Sequence, residues 1–116
     1  MTDPRVIHFE IVGKDGTALQ AYYSALFGWK LNTDNPGGYG MTSPEATGPI
    51  VGIGSTPDGS AGHVTGYVTV ADIDATLARA VALGGKVIMP KFLPGGGATI
   101  ALVADPEGHV VGLTQV

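Results

Sequence analysis

Cysteine is absent from this chain of 116 residues, and charge of either sign is scarce. Without cysteine, the chain can form no disulfide, thiolate metal site or cysteine nucleophile. Only 14% of the residues are charged, and the six basic ones are scattered along a chain of net charge −4. Because nucleic-acid binding needs clustered Lys and Arg, we expect no nucleic-acid partner.

Long apolar runs and the common catalytic motifs are also lacking. No run approaches the length of a membrane span, and the N-terminus, MTDPRVIHF, lacks the basic and then apolar segments of a signal peptide. We therefore expect a cytoplasmic protein with no membrane partner. Neither a G-x-x-x-x-G-K phosphate loop nor a G-x-S-x-G nucleophile elbow occurs.

The chain does contain many glycines and an internal repeat. Nineteen glycines favour tight turns and close backbone packing around a cleft. The stretch HFEIVGKDGTALQAYYSALFGWKL (8–31) aligns without a gap to TGYVTVADIDATLARAVALGGKVI (65–88). A repeat of about half the chain predicts two copies of one unit within one domain. We place module one at about 5–54, a linker at 55–62 and module two at about 63–116.

Each copy is predicted to fold as strand, helix and three strands. Alternation along the first strand places His8 and Glu10 on one face. Asp15 or Thr17 is expected to cap the first helix, and Asp72 the second. The remaining strands are expected at 29–31, 39–43, 50–54, 86–89, 98–103 and 109–114. The predicted fold is α+β: two tandem βαβββ modules form a curved, eight-stranded, barrel-like open sheet with the helices outside and a concave cleft.

Two further segments carry expectations about packing and mobility. An apolar stripe on the first helix has the spacing of a core face or of a face packed between the two halves; it comprises Leu19, Tyr22, Tyr23, Leu26 and Phe27. Residues 91–97 (KFLPGGG) are predicted to form a flexible loop, either a lid that contacts a ligand through Phe92 or a plain hairpin connection. His109 is expected to have a turn or surface role.

Three stretches together resemble the vicinal oxygen chelate superfamily, which includes glyoxalase I, bleomycin-resistance proteins and extradiol dioxygenases. They are the opening HFEIVGKDGTALQAYYSALFGWKL, the second-half opening YVTVADIDATLARAVALGGKVIMP and the closing VADPEGHVVGLTQ, which is similar to a D-P-x-G-N-x-x-x-L signature. The resemblance covers nearly the whole chain and is strongest to short glyoxalase-related proteins. It implies the fold predicted above, a small-molecule ligand and a homodimer.

The resemblance also implies where a metal would bind. Metal-using members hold a divalent ion with four side chains that point into the cleft, and the matching positions are His8, Gly52, Thr65 and Gly112. Two of these carry no side chain, so we expect no cofactor and no metal at the usual site. The two glycines are expected to widen the cleft for a larger organic ligand.

Three functions stay open. The first is a small-molecule-binding protein or lyase- or isomerase-type enzyme without the usual metal, with His8 as catalytic base assisted by Glu10 and Tyr67. The second is a non-catalytic protein that sequesters a drug or metabolite. The third is a divalent-metal-dependent lyase or dioxygenase-like enzyme with a rearranged site. That site would comprise His8, Glu10 and His63. The expected ligand-binding residues are His8, Glu10, Gly52, His63, Thr65, Tyr67, Phe92 and Gly112.

Overall fold

A computed structural model describes residues 4–43, 48–93 and 98–115. These residues form two helices and seven strands, which confirms the α+β class. In chain order they are β1 (Val6–Gly13), α1 (Gly16–Phe27), β2 (Gly40–Met41), β3 (Ile50–Ser55), β4 (His63–Val70), α2 (Ile73–Ala82), β5 (Lys86–Phe92), β6 (Ile100–Ala104) and β7 (Val110–Gln115). Neither helix of the described part is long and apolar enough to cross a membrane.

The chain divides into two compact units, an N-terminal unit of His8–Val64 and a C-terminal unit of Thr65–Val116 together with Met1–Ile7. In the N-terminal unit, the strand order is β2-β3-β1. Strands β1 and β3 are parallel, and the register pairs Ile11 with Ile53 and Glu10 with Gly52. Ile11 and Ile53 are buried. Helix α1 supplies the crossover that a parallel pair requires.

The C-terminal unit has the order β4-β7-β6-β5, with α2 packed on it. Its core lies between α2 and the strands β6 and β7. The buried members are Ile73, Leu77, Ala101 and Leu113. Strands β4 and β7 are parallel and pair Tyr67 with Gly112. Since Tyr67 is the repeat counterpart of Glu10, the two halves use the same pairing, Glu10 with Gly52 and Tyr67 with Gly112.

The predicted strand at 29–31 is wrong, so the described residues contain seven strands instead of eight. Asn32 makes only an isolated bridge with Met41. The reason lies in the aromatic side chains: the Trp29 ring centroid lies 4.9 Å from that of Phe27 and 6.3 Å from that of Tyr23. Trp29 therefore packs back on α1 instead of entering a sheet. A complete βαβββ order is present only from β4 to β7.

The predicted helix caps at Asp15 and Asp72 are confirmed. The Asp15 carboxylate accepts a hydrogen bond from the Ala18 amide at 3.0 Å, and the Asp72 carboxylate accepts one from the Ala75 amide at 3.1 Å. Gly28 ends α1 with φ +75°, a left-handed conformation that favours glycine. Local chemistry therefore marks the start of both helices and the end of α1.

The apolar stripe of α1 is largely exposed, so the first of its two predicted roles, a core face, is wrong, and the second, packing between the two halves, stays a prediction. Tyr22, Leu26 and Phe27 are 59%, 55% and 57% exposed, and only Gly16 of this helix is buried. Exposed apolar patches of this kind often mark interaction sites. The homodimer stays a prediction, and the exposed apolar residues of α1 are a candidate for its interface.

The predicted loop at 91–97 begins later than expected. Lys91 and Phe92 belong to β5, where Phe92 pairs with Ile100. The Lys91 ammonium lies 2.8 Å from the Asp74 carboxylate, a contact that holds the end of the strand beside α2. Residues 94–97 lie outside the described residues, so the lid stays a prediction.

Candidate functional site

A network of four side chains lies on the face of β1 opposite α1, entirely within the N-terminal unit. His8 and Glu10 reach this face because they alternate with the buried Ile11. The Tyr39 hydroxyl lies 2.8 Å from His8 Nε2 and donates to Glu10 Oε1 at 3.2 Å. His63 Nε2 lies 3.1 Å from Glu10 Oε2. The structure thus brings together three of the predicted site residues and adds Tyr39 between two of them.

The direction of each hydrogen bond follows from the chemistry of Glu10. An ionised carboxylate only accepts, so the Tyr39 hydroxyl and His63 Nε2 must both donate to it. A phenol has one proton, so His8 Nε2 must then donate to the Tyr39 oxygen. Neutral His8 therefore carries its proton on Nε2, and its lone pair is on Nδ1. This tautomer is inferred from the network, as histidine tautomers generally are.

Tyr39 is held in place by its neighbours. The Asn35 side-chain Nδ2 donates to the Tyr39 backbone carbonyl at 2.7 Å, and the Tyr39 backbone N–H donates to Asn35 Oδ1 at 3.0 Å. The phenol ring lies directly over Gly52 and Gly54 of β3, where an added Cβ would overlap it. Glycine at these two positions therefore makes room for the tyrosine.

The interpretation that Gly52 and Gly112 widen a cleft is wrong. A tyrosine ring fills the space above each glycine: Tyr39 above Gly52, and Tyr67 above Gly112. Tyr67 is only 6% exposed. The absent side chains are thus replaced by aromatic rings, each within its own unit.

Three further residues singled out from the sequence lie in the C-terminal unit: Thr65, Phe92 and His109. Thr65 is 4% exposed, and its hydroxyl donates to the Val110 carbonyl at 2.6 Å. Phe92 is 51% exposed on β5. His109 Nδ1 lies 2.9 Å from the Asp105 carboxylate in the turn before β7, where its side chain is 72% exposed. This location is the turn position expected for His109.

The four positions implied for a metal do not fit an ion. Gly52 and Gly112 have no donor, and the Thr65 hydroxyl is engaged with a backbone carbonyl. A catalytic metal usually needs three protein ligands. Within the described ranges, no three His, Asp or Glu side chains are grouped closely enough to hold an ion. In the alternative set of His8, Glu10 and His63, the Tyr39 hydroxyl lies between His8 and Glu10.

An apolar groove of about 580 Å³ lies on the α1 side of the same unit, and it meets the network at His63. It runs between α1 and residues 61–64, and its walls include Leu19, Tyr22 and Val64. His63 lines this groove and also contacts Glu10. Small-molecule sites commonly combine a mostly apolar wall with a few such polar groups.

Burial controls the protonation of His8. It lowers the pKa of the His8 imidazole below the ordinary 6.5, and the nearby Glu10 carboxylate partly offsets this by raising it. His8 is consequently neutral at physiological pH, the form in which one ring nitrogen can accept a proton.

We expect the free energy of unfolding to fall as the pH is lowered from about 6.5. The unfolded chain, with the ordinary His pKa, binds the proton first, so stability is complete above that pH and decreases below it. Urea denaturation of wild type and His8→Gln between pH 7.5 and 5 would measure this, with the variant losing part of the slope. His109→Gln is the matched control because His109 is exposed, and an equal loss of slope in both variants would contradict the assignment.

The family described as "Glyoxalase-like domain" matches residues 8–114. The chain belongs to the glyoxalase-like domain family. The match confirms the resemblance to the vicinal oxygen chelate superfamily. A solved glyoxalase/bleomycin resistance protein/dioxygenase superfamily member from Vibrio splendidus 12B01 has the same fold as this glyoxalase-like domain, with a TM-score of 0.63, 18% identity and coverage of 98% of this chain and 100% of that chain.

Two curated relatives are longer than this glyoxalase-like domain. The candidate glyoxylase CFP32 of Mycobacterium tuberculosis is 36% identical over 109 residues, which are 87% of this chain and 41% of CFP32. The anthracycline biosynthesis protein DnrV of Streptomyces peucetius is 29% identical over 117 residues, 86% of this chain and 42% of DnrV. The chain therefore spans about two fifths of the length of each relative.

Proposed function

We propose that this glyoxalase-like domain binds a small organic molecule at the network on β1 and transfers a proton on it, with His8 as base. The observation that carries the proposal is the hydrogen-bonded chain from His8 through Tyr39 to Glu10. A neutral histidine whose Nε2 is tied to an acceptor presents its other nitrogen as a base, the arrangement general base catalysis uses. The chemistry would be lyase- or isomerase-type on an oxygen-rich compound.

Two further features support an organic ligand. The groove beside His63 is of a size typical for small-molecule sites, which are about 300–1,000 Å³. The relatives are named for a glyoxylase and for anthracycline biosynthesis, and both names concern small organic compounds. No metal is part of the proposal, since the four family positions supply too few donors.

A library of enolisable carbonyl compounds and phenols, screened by thermal shift, tests the proposal. A ligand at 100 times its Kd stabilises the folded state by about 2.7 kcal/mol, which gives a clear rise in melting temperature. We expect a hit to lose at least about tenfold in affinity with Glu10→Gln, because a charge-assisted network is worth about 1.5–3 kcal/mol per bond. His109→Gln should bind as wild type does.

Turnover of each hit separates the two metal-free functions. An enzyme consumes the hit and loses turnover, by a factor of about 10²–10⁴, when the base is removed in His8→Gln. Binding without turnover favours the sequestering protein instead. Metal analysis of the purified protein alongside His8→Ala addresses the third function: a stoichiometric ion that is lost in the variant would overturn the metal-free proposal.

A further inference from the structure

Tyr39 is not one of the site residues predicted from the sequence, yet it contacts both predicted catalytic residues, His8 and Glu10. Its hydroxyl lies 2.8 Å from His8 Nε2 and 3.2 Å from Glu10 Oε1, and its ring is nearly parallel to the His8 ring, with an interplanar angle of 11°. The Tyr39 hydroxyl joins the His8 ring to the Glu10 carboxylate through these two hydrogen bonds. His8 and Glu10 are therefore coupled through the phenol.

We propose that Tyr39 is the positioning residue of this site, which fixes His8 in the tautomer that presents Nδ1 as the base. The inference rests on the proposed function and deepens it, because it names which nitrogen meets the ligand. A ligand must then offer an acidic proton to Nδ1, as an enolisable carbonyl compound or an enol does.

The first step of the argument is the direction of the hydrogen bonds. Glu10 accepts from two sides, from Tyr39 at one oxygen and from His63 at the other. The single phenol proton is donated in the hydrogen bond to Glu10, so the Tyr39 oxygen can only accept from His8.

The second step is the rigidity of Tyr39. Two hydrogen bonds to Asn35 hold its backbone, and the backbone of β3 at Gly52 and Gly54 supports its ring. The same β3 residues pair with β1, in which Glu10 lies opposite Gly52. Glu10 is thus positioned by β1, and Tyr39, which directly precedes β2, is positioned by its hydrogen bonds to Asn35 and by the backbone of β3 beneath its ring.

The third step is that a phenylalanine could not replace this function. Phenylalanine would fill the space over Gly52 and Gly54 equally well, but it has no oxygen to accept from His8 or proton to donate to Glu10. Tyr39→Phe therefore removes the hydrogen bonds and leaves the packing, which separates positioning from a merely structural role.

The test is NMR of the protein labelled with ¹⁵N at histidine, in wild type, Tyr39→Phe and the control Tyr22→Phe. Tyr22 is exposed and contacts Tyr23 on α1, outside the network. In wild type and the control, we expect a protonated His8 Nε2 with a slowly exchanging N–H signal. In Tyr39→Phe, that signal is lost to exchange with water. The His8 pKa falls as well, because the protonated ring has lost an acceptor.

Wild-type His8 protonated on Nδ1 at neutral pH, or an Nε2 signal unchanged in Tyr39→Phe, would overturn the proposal. If Tyr39→Phe does not fold, Glu10→Gln serves as the second variant. A Gln side chain can donate as well as accept, so the direction of the bonds is released and His8 should divide between its two tautomers. Because these measurements need no ligand, a failed ligand screen would count against the proposed function and leave the role of Tyr39 intact.

Discussion

Gly62→Ala is expected to lower the free energy of unfolding by about 2–5 kcal/mol, from a left-handed backbone and from overpacking together. Gly62 has φ +80°, and a Cβ would overlap the Val12 carbonyl oxygen and approach the backbone of Gly13. Since backbone atoms cannot rotate away, β1 or the start of β4 must shift. His63 follows Gly62 directly, so its contact with Glu10 should be lost too.

Gly59→Ala is the matched control for this substitution. Gly59 has φ +72°, similar to that of Gly62, but nothing lies within 4 Å of an added Cβ. It should therefore show only the conformational cost, about 1–2 kcal/mol. Urea denaturation of both variants measures the difference, and equal losses would show that the close approach to Val12 is relieved without cost.

Gly52→Ala is expected to expel the Tyr39 ring and break the network, at a cost of about 1–3 kcal/mol from overpacking. The added Cβ would overlap the Tyr39 hydroxyl and the ring carbon that bears it. His8 then loses its stacked partner and the acceptor for Nε2. Chemical denaturation gives the stability, and the ¹⁵N spectrum of His8 reports the network.

A double-mutant cycle makes this prediction specific. Truncating the ring in Tyr39→Ala removes the atoms that an alanine at 52 would meet, so the double variant should be more stable than the sum of the single effects predicts, by about 0.5–3 kcal/mol. Gly37→Ala is the control, because the nearest atom to its added Cβ is the Asn35 side-chain oxygen at 3.9 Å. Additive effects of the substitutions at 52 and 39 would contradict the contact.

Local chemistry explains which parts of the fold the sequence predicts. The caps at Asp15 and Asp72 and the glycine that ends α1 need only neighbouring residues, and alternation along β1 correctly places His8 and Glu10 on one face. The repeat correctly equates Glu10 with Tyr67, since each pairs with a glycine of its parallel partner strand, Gly52 or Gly112.

Tertiary contacts explain the rest. Tyr39 meets His8 across 31 positions of sequence, and no spacing within either segment indicates the contact. Glycine at 52 was interpreted as empty space, whereas it admits a ring from a separate segment. The sequence around Trp29 predicts a strand at 29–31, but Trp29 packs against Phe27 instead.

The position of Trp29 also determines what fluorescence can observe in this protein. Trp29 is the only tryptophan of the chain, and it lies against Phe27 and Tyr23 in the N-terminal unit. Its emission during unfolding therefore reports that unit, whereas circular dichroism averages over both. A comparison of the two signals in one denaturation series would reveal whether the units unfold as one cooperative body.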